Sequence, residues 1–407
     1  MPPRVRALLK AAEERPLVPQ NHPERKQRAA PGMTALQHRI AKQVTRRIWM
    51  GVIDCRPVAG VAPGETCVNS ILRIAVVAGA ACLLMAALPV RADDQRAEGA
   101  AVLSRAQQLE DLRVEGAAPF ILRAQINVIE RKQQIAGTYS LTWAAANRWR
   151  EEELLGDFSR VRDGAMSGYL QVRAWNYQPQ VIFDLDQILD VAAMAHLSPG
   201  EDAGKVRSRK IGGAVLSCVE IWRKKSRQRE VCVDPTTGLV VHAELSYTAD
   251  PWPRHPPTVD YAGTIALGDR RFPSRMEFRR PDGFSVEVSV GSLEGFSGTA
   301  DSLPVADPAG SEFWGDCRYG TPGEAIQKVV PIYPAESQVR HDQGLVILYV
   351  RIETDGKVSR LKPLRSPSPA LAETTLEAVA QWKYKPRTCG GTPVKEETVL
   401  TVFFQAW

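Results

Sequence analysis

The stretch GLVILYVRIETDGKVSRLKPLRS, residues 344–366, decides how the last part of the chain folds. Val346, Leu348, Val350 and Ile352 fall at every second position, the period of a strand with one face buried. Asp355-Gly356 follows, and glycine tolerates the positive φ that a tight hairpin turn requires. Val358, Leu361 and Leu364 then carry a returning strand. The segment reads as an antiparallel hairpin.

Working outward, Pro331-Ile332-Tyr333-Pro334 opens the unit, and AESQVRHDQ after it reads as a short helix. Downstream, PALAETTLEAVAQWK (369–383) places Leu371, Leu376, Val379 and Trp382 on one helical face and Glu373 and Glu377 on the other. Pro369 suits the first turn of this helix, and Pro386 bars its continuation. PVKEETVLTVFFQ (393–405) is the final strand, with Thr398, Leu400 and Val402 on one side. Residues 320–407 are therefore expected to fold as a small α-β-β-α-β unit.

The ordered set of residues resembles the C-terminal domain of TonB-family proteins. The positions that carry the resemblance are Pro331, Tyr333 and Pro334; Gly344 and Val346; Asp355, Gly356 and Val358; Ser366; Ala378, Val379, Trp382, Tyr384 and Pro386; Gly391, Pro393 and Val394; and Phe403 and Phe404. Tyr333, Trp382, Tyr384 and Pro386 are of types that build the fold rather than bind. The resemblance implies a module that takes a short segment of an outer-membrane transporter as an added strand. An exposed edge supplies the unpaired N–H and C=O groups for that. It implies residues 393–405 as the edge, with Val399, Leu400, Thr401, Val402, Phe403 and Phe404 as the partner-binding strand. Family members carry a long Pro-rich spacer and a His-bearing N-terminal helix that couples to the ExbB–ExbD motor. Here residues 301–312 are only a short linker, and no His occurs within 71–90. The motor is a partner only if the 71–92 segment stays attached.

Residues 93–310 read differently. A helix is expected over 96–115, from Val102, Leu103, Ala106, Leu109 and Leu112. Strands follow: Leu122, Ala124, Ile126 and Val128 alternate in FILRAQINVIE, and Tyr139, Leu141 and Trp143 do so in GTYSLTW. WREEEL, YLQVRAW, VLSCVEIW, LVVHAELSY, YAGTIAL, RMEFRR and FSVEVSV continue the series, and QVIFDLDQILDVAAMA (180–195) is the internal helix. Many antiparallel strands with few helices give a curved sheet or half-barrel, so the fold class is α+β with a β-rich middle domain. This element order resembles the periplasmic lipoprotein carriers of the LolA type, which implies a lipid or other apolar ligand in the middle domain. On that alternative the C-terminal module serves only for docking. Trp143, Trp149, Tyr169, Trp175 and Tyr177 either line such a groove or are ordinary core and rim aromatics.

The uncharged run IAVVAGAACLLMAAL (74–88) is preceded by Arg73 and ends in Pro-Val-Arg-Ala. Residues 71–92 therefore read as a signal peptide cleaved after Ala92 or as a retained inner-membrane anchor, and either places the rest in the periplasm. Residues 1–70 are a basic extension, expected to be disordered, with a normal start near Val68. The net charge of +6 belongs there: residues 1–92 hold 14 Lys/Arg against 5 Asp/Glu, and residues 93–407 hold 38 against 41. The folded part gives no electrostatic reason for a nucleic-acid partner, and Arg207-Ser208-Arg209-Lys210 reads as a solvated turn.

Four of the seven cysteines lie beyond residue 92, an even number in an exported chain. Cys218 and Cys232 flank a hairpin pattern that brings them onto facing strands, which predicts a disulfide. Cys317 and Cys389 are then a second bridge or two free thiols. The six histidines are scattered, and no zinc-protease, phosphate-loop or nucleophile-elbow motif occurs. Glu151–Glu153 reads as a solvated strand face rather than an acid/base pair. No enzymatic activity, cofactor or metal is expected.

Overall fold

In the computed structural model, residues 92–130, 133–165, 167–246 and 256–405 are described. The expectations for residues 1–91 lie outside them. Strands take up about half of the described residues, and helices are few. Helix α1 (Ala92–Glu110) leads into Phe120–Glu130 (β1), Gln133–Ala145 (β2), Arg148–Leu155 (β3), Phe158–Ala165 (β4) and Gly168–Arg173 (β5). Helices Gln180–Leu189 (α2) and Val191–Ala195 (α3) follow. Next come Glu201–Ile211 (β6), Ala214–Arg223 (β7), Ser226–Val233 (β8), Val240–Leu245 (β9), Thr258–Ala262 (β10), Ile265–Leu267 (β11), Arg270–Phe272 (β12), Arg275–Arg279 (β13) and Ser285–Gly295 (β14). The remainder is Glu312–Gly315 (β15), Glu324–Gln327 (β16), Ala335–Val339 (α4), Gly344–Ile352 (β17), Val358–Arg365 (β18), Pro369–Val379 (α5), Lys383–Lys385 (β19), Thr388–Cys389 (β20), Thr392–Pro393 (β21) and Glu396–Phe404 (β22).

Thirteen strands form one open sheet in the order β15-β5-β4-β3-β2-β1-β14-β13-β10-β9-β8-β7-β6. Two antiparallel meanders, β1–β5 and β6–β14, meet where β1 pairs with β14. The sheet does not close into a barrel. Its inner face is the alternating apolar set: Leu122, Ala124, Ile126 and Val128 of β1, and Tyr139, Leu141 and Trp143 of β2, are all buried. Helix α1 and the apolar side of α2 (Ile182, Leu185, Ile188, Leu189) complete this core. Each such side chain contributes on the order of 1.5–3 kcal/mol on leaving water. α1 lies very close to β6: a Cβ on Gly99 would meet the Gly204 carbonyl oxygen at 2.1 Å.

A second core is separate from the first: Tyr333, Val346, Leu348, Val350, Ile352, Leu371, Val379, Trp382, Tyr384, Val402 and Phe404. It lies between α5 and the three-stranded sheet β18-β17-β22.

Several expectations shift in detail. α1 ends at Glu110 rather than 115, where the Asp111 carboxylate accepts from the Arg113 N–H and starts a turn. The 180–195 helix breaks at Asp190, whose side chain caps α3 by accepting from the Ala193 N–H. α5 stops at Val379, so Trp382 reaches the core from the following turn. The 301–312 linker ends in a strand, β15, that extends the large sheet by pairing with β5. The pairing of β16 with β19 was not anticipated. The Arg207–Lys210 run lies within β6, with Arg207 ion-paired to Glu220 and Arg209 to Glu244. Among the described residues no helix is long and apolar enough to cross a membrane.

Candidate functional site

The motif residues of the C-terminal module do structural work. Gly356 sits at φ +79°, and a Cβ there would meet the Tyr384 carbonyl oxygen at 1.9 Å. The Tyr384 N–H donates to the Gly356 carbonyl at 2.8 Å, so the hairpin tip is pinned beneath β19. The Asp355 carboxylate accepts the Lys357 N–H at 3.0 Å and shapes the same turn. Trp382 is 1% exposed, and its Nε1–H donates to the Val329 carbonyl at 2.9 Å. Tyr333 packs edge-on against Phe404, and its hydroxyl donates to the Asp342 carbonyl. Pro334 precedes the first turn of α4, and Pro386 follows β19.

The two edges of the small sheet differ. β18 contains Arg360, Lys362, Pro363 and Arg365, its pairing with β17 slips twice, and Arg360 sits at φ +46°. Proline, cations and bulges are the devices that keep an edge from adding strands. β22, EETVLTVFF, has none of them. It pairs with β17 over nine consecutive residues, from Gly344↔Phe404 to Ile352↔Glu396, without a slip. Within it, Val402 and Phe404 are buried, while Val399, Leu400, Thr401 and Phe403 are half-buried.

β17 is buried on both faces. Val346, Leu348, Val350 and Ile352 face the module core, while Ile347, Tyr349 and Arg351 face the large sheet and α2. Tyr349 meets Tyr177 and Phe183 at ring distances of 6.2 and 6.5 Å, and its hydroxyl donates to Glu397. Arg173, at the end of β5, grips the same carboxylate with both NH groups at 2.7 Å. Arg351 lies 4.7 Å over the Trp314 ring and donates to Glu312.

A cavity of about 540 Å³ lies beside this junction. Aromatic side chains line it: Tyr139, Trp143, Trp149, Tyr169 and Trp314. Trp175 and Tyr177 stand outside it: they stack on each other, Trp175 against Phe158 and Tyr177 beneath Lys362. Charged residues lie beside the lining aromatics on the same sheet face, where Glu153 pairs across from Tyr139 and Glu151 from Leu141. They correct the reading of Glu151–Glu153 as a solvated face: both residues are 3% exposed. Strand register sets Glu151 opposite Arg162 and Glu153 opposite Arg160. Arg160 donates to Glu153 at 2.6 Å, to Gln178 at 2.8 Å and to Asp186 on α2 at 3.1 Å, and Arg162 joins Glu151 and Asp186. Burial opposes charge on Asp186, but the Arg160 and Arg162 guanidiniums win and hold its carboxyl below the usual range. Glu151, Glu153 and Asp186 have metal-ligand spacing, yet each is already ion-paired to Arg160 or Arg162. The cluster is not among the sequence expectations; Arg at 160 and 162 following Glu at 151 and 153 is the one signal that could have found it, and Asp186 gives none.

Glu110 lines the cavity from the end of α1. Burial pushes its carboxyl up to about 8, opposed by the hydrogen bond it accepts from the Val240 N–H. Two disulfides are present. Cys218–Cys232 links facing residues of β7 and β8, and Cys317–Cys389 links the segment after β15 to β20.

Several known proteins share parts of this chain. The large-sheet region is similar to a DUF1329 family protein from Desulfovibrio piger, at 12% identity and TM-score 0.38, covering 51% of this chain and 96% of that one. It is also similar to a LolA superfamily protein from Nitrosomonas europaea, at 11% identity and TM-score 0.34, covering 51% and 94%. Protein TonB of Pseudomonas aeruginosa is 32% identical over 76 residues, which are 18% of this chain and 22% of that protein. The chain thus spans about a fifth of the length of this curated relative. Residues 329–405, the unit built around β17, β22 and α5, match the family described as Gram-negative bacterial TonB protein C-terminal.

Proposed function

We propose that the protein is a periplasmic docking protein whose C-terminal module takes an extended segment of an outer-membrane transport partner as a fourth strand beside β22. The observation that carries this reading is the contrast between the two edges. β22 offers nine regular residues with no proline, cation or slip, whereas β18 carries all three. Main-chain hydrogen bonds supply affinity in such complexes, and side chains at alternate positions supply specificity. The match of residues 329–405 to the TonB C-terminal family supports the same role, with transporters as partners. No catalytic step is part of it.

The test uses a synthetic peptide from the periplasmic N-terminal segment of an outer-membrane transporter, titrated calorimetrically into the full chain. N-methylation of its alternate amides in one register should weaken binding by tenfold or more (about 1.4 kcal/mol), and methylation in the other register should leave it nearly unchanged. Equal affinity for both methylated peptides counts against strand addition.

The cavity supports a second reading, in which the large-sheet region holds an amphipathic ligand. Its lining mixes aromatic rings with ion-paired Glu and Arg side chains. A ligand with an apolar body and a polar end fits such walls better than a bare hydrocarbon chain does.

A further inference from the structure

The segment leaving β15 binds both cores at once. Arg318 reaches back to the large-sheet region, where its Nε donates to Asp190 at 2.8 Å and its NH groups to Asp190 and Asp111. Tyr319 stacks on His196 with ring centroids 3.7 Å apart, and its hydroxyl donates to Asp111 at 3.3 Å. The same few residues also hold the C-terminal module. Thr321 and Thr388 exchange both backbone hydrogen bonds, at 2.9 and 3.0 Å, and Arg387 donates to the Cys317 carbonyl at 2.8 Å. Cys317 is joined covalently to Cys389. Gly315, Asp316, Cys317 and Arg318 form part of the cavity wall, beside Arg387, Lys395, Glu396 and Glu397 of the module.

We infer that residues 312–321 are a redox-set strap: with the Cys317–Cys389 bridge intact it is clamped to β20 along the cavity wall, and on reduction the strap loosens from β20 and the cavity opens on that side. Arg173–Glu397 and Tyr349 keep the rest of the module seated. The reductant is a dithiol. Two electrons and two protons pass to the Cys317 and Cys389 sulfurs, the S–S bond breaks to give two thiols, and the dithiol closes to its own disulfide. The two bridges are unequally reachable. Cys218 and Cys232 are fully buried, whereas Cys317 and Cys389 are half-buried, so a mild dithiol meets the strap first. Once the bridge is cut, the strap stays tied to the large sheet by β15–β5 pairing, the Arg318 ion pairs and the Tyr319 stack. Its links to the module are then noncovalent: the Thr321–Thr388 hydrogen bonds, Arg387 on Asp316 and the Cys317 carbonyl, and Arg351 and Lys395 on Glu312. The inference does not depend on strand addition at β22.

The experiment treats the full chain with dithiothreitol under native conditions, alkylates it, and maps the modified cysteines by mass spectrometry against the untreated protein. New modification is expected at Cys317 and Cys389 and not at Cys218 or Cys232. Amide exchange over residues 316–321 should accelerate by about tenfold or more, with β1 and β14 unchanged, and fluorescence of the apolar dye 8-anilinonaphthalene-1-sulfonate should rise. The C317S/C389S double variant should show the same exchange and dye response without reductant. If that variant does not fold, selectively reduced native protein gives the answer alone. Equal exchange and equal dye fluorescence in oxidised and reduced protein, or reduction only on global unfolding, overturns the strap.

Discussion

Arg173 and Glu397, 224 residues apart in the chain, meet in a two-pronged ion pair with both N···O distances at 2.7 Å. Both side chains are less than a tenth exposed. This pair, with the Tyr349 hydroxyl on the same carboxylate, is where the C-terminal sheet is fixed against the large-sheet region. Arg173→Ala leaves a carboxylate buried without its partner and should cost about 3 kcal/mol. A double-mutant cycle with Glu397→Gln, read by chemical denaturation, should show strong coupling. Independent, additive effects would show that the pair does not hold the two together.

The hairpin tip admits no side chain at residue 356. Gly356→Ala must adopt φ +79° and displace the Tyr384 carbonyl. The expected loss is about 2 kcal/mol or more, visible as a lower denaturation midpoint. A neutral result would mean that the tip relaxes away from β19.

Trp382 combines two contributions that can be separated. Trp382→Ala empties the module core and should cost about 3–5 kcal/mol. Trp382→Phe keeps most of the volume and loses mainly the hydrogen bond to the Val329 carbonyl, for about 1 kcal/mol. Similar losses in both variants would shift the weight from packing to the hydrogen bond.

Glu110 predicts a pH dependence. Its folded carboxyl titrates near 8 against an ordinary value of 4.5, so between these the folded chain holds one proton more than the unfolded chain. Its contribution to stability is therefore fully present below about 4.5 and is lost as pH rises through 8. Glu110→Gln should flatten this slope and be more stable than the native protein at the alkaline end, by on the order of 3 kcal/mol. Denaturation midpoints at several pH values check it, and parallel profiles would place the titration elsewhere.

The sequence was most readable where local chemistry and tertiary fate agree. The alternation of Val346, Leu348, Val350 and Ile352, the Asp355-Gly356 turn and the apolar face of α5 all reappear in the module core. Strand alternation in β1 and β2 was equally plain. What could not be read depends on distant partners. Tyr349 and Arg351 look like the solvent side of an edge hairpin, yet the large-sheet region buries them. Glu151 and Glu153 read as solvated because their counter-charges, Arg162 and Arg160, come from a neighbouring strand, and because Asp186 of a later helix covers the same two cations. β15 begins at the last residue of the 301–312 linker and escaped notice because it is four residues long and needs only a free neighbour to pair with.

The most direct test of strand addition is amide exchange along β22, measured on the full chain with and without the transporter peptide. Protection should rise at alternate amides between Thr398 and Phe404 and stay constant along β18. Protection that rises along β18 instead, or nowhere in the small sheet, contradicts the proposed docking edge.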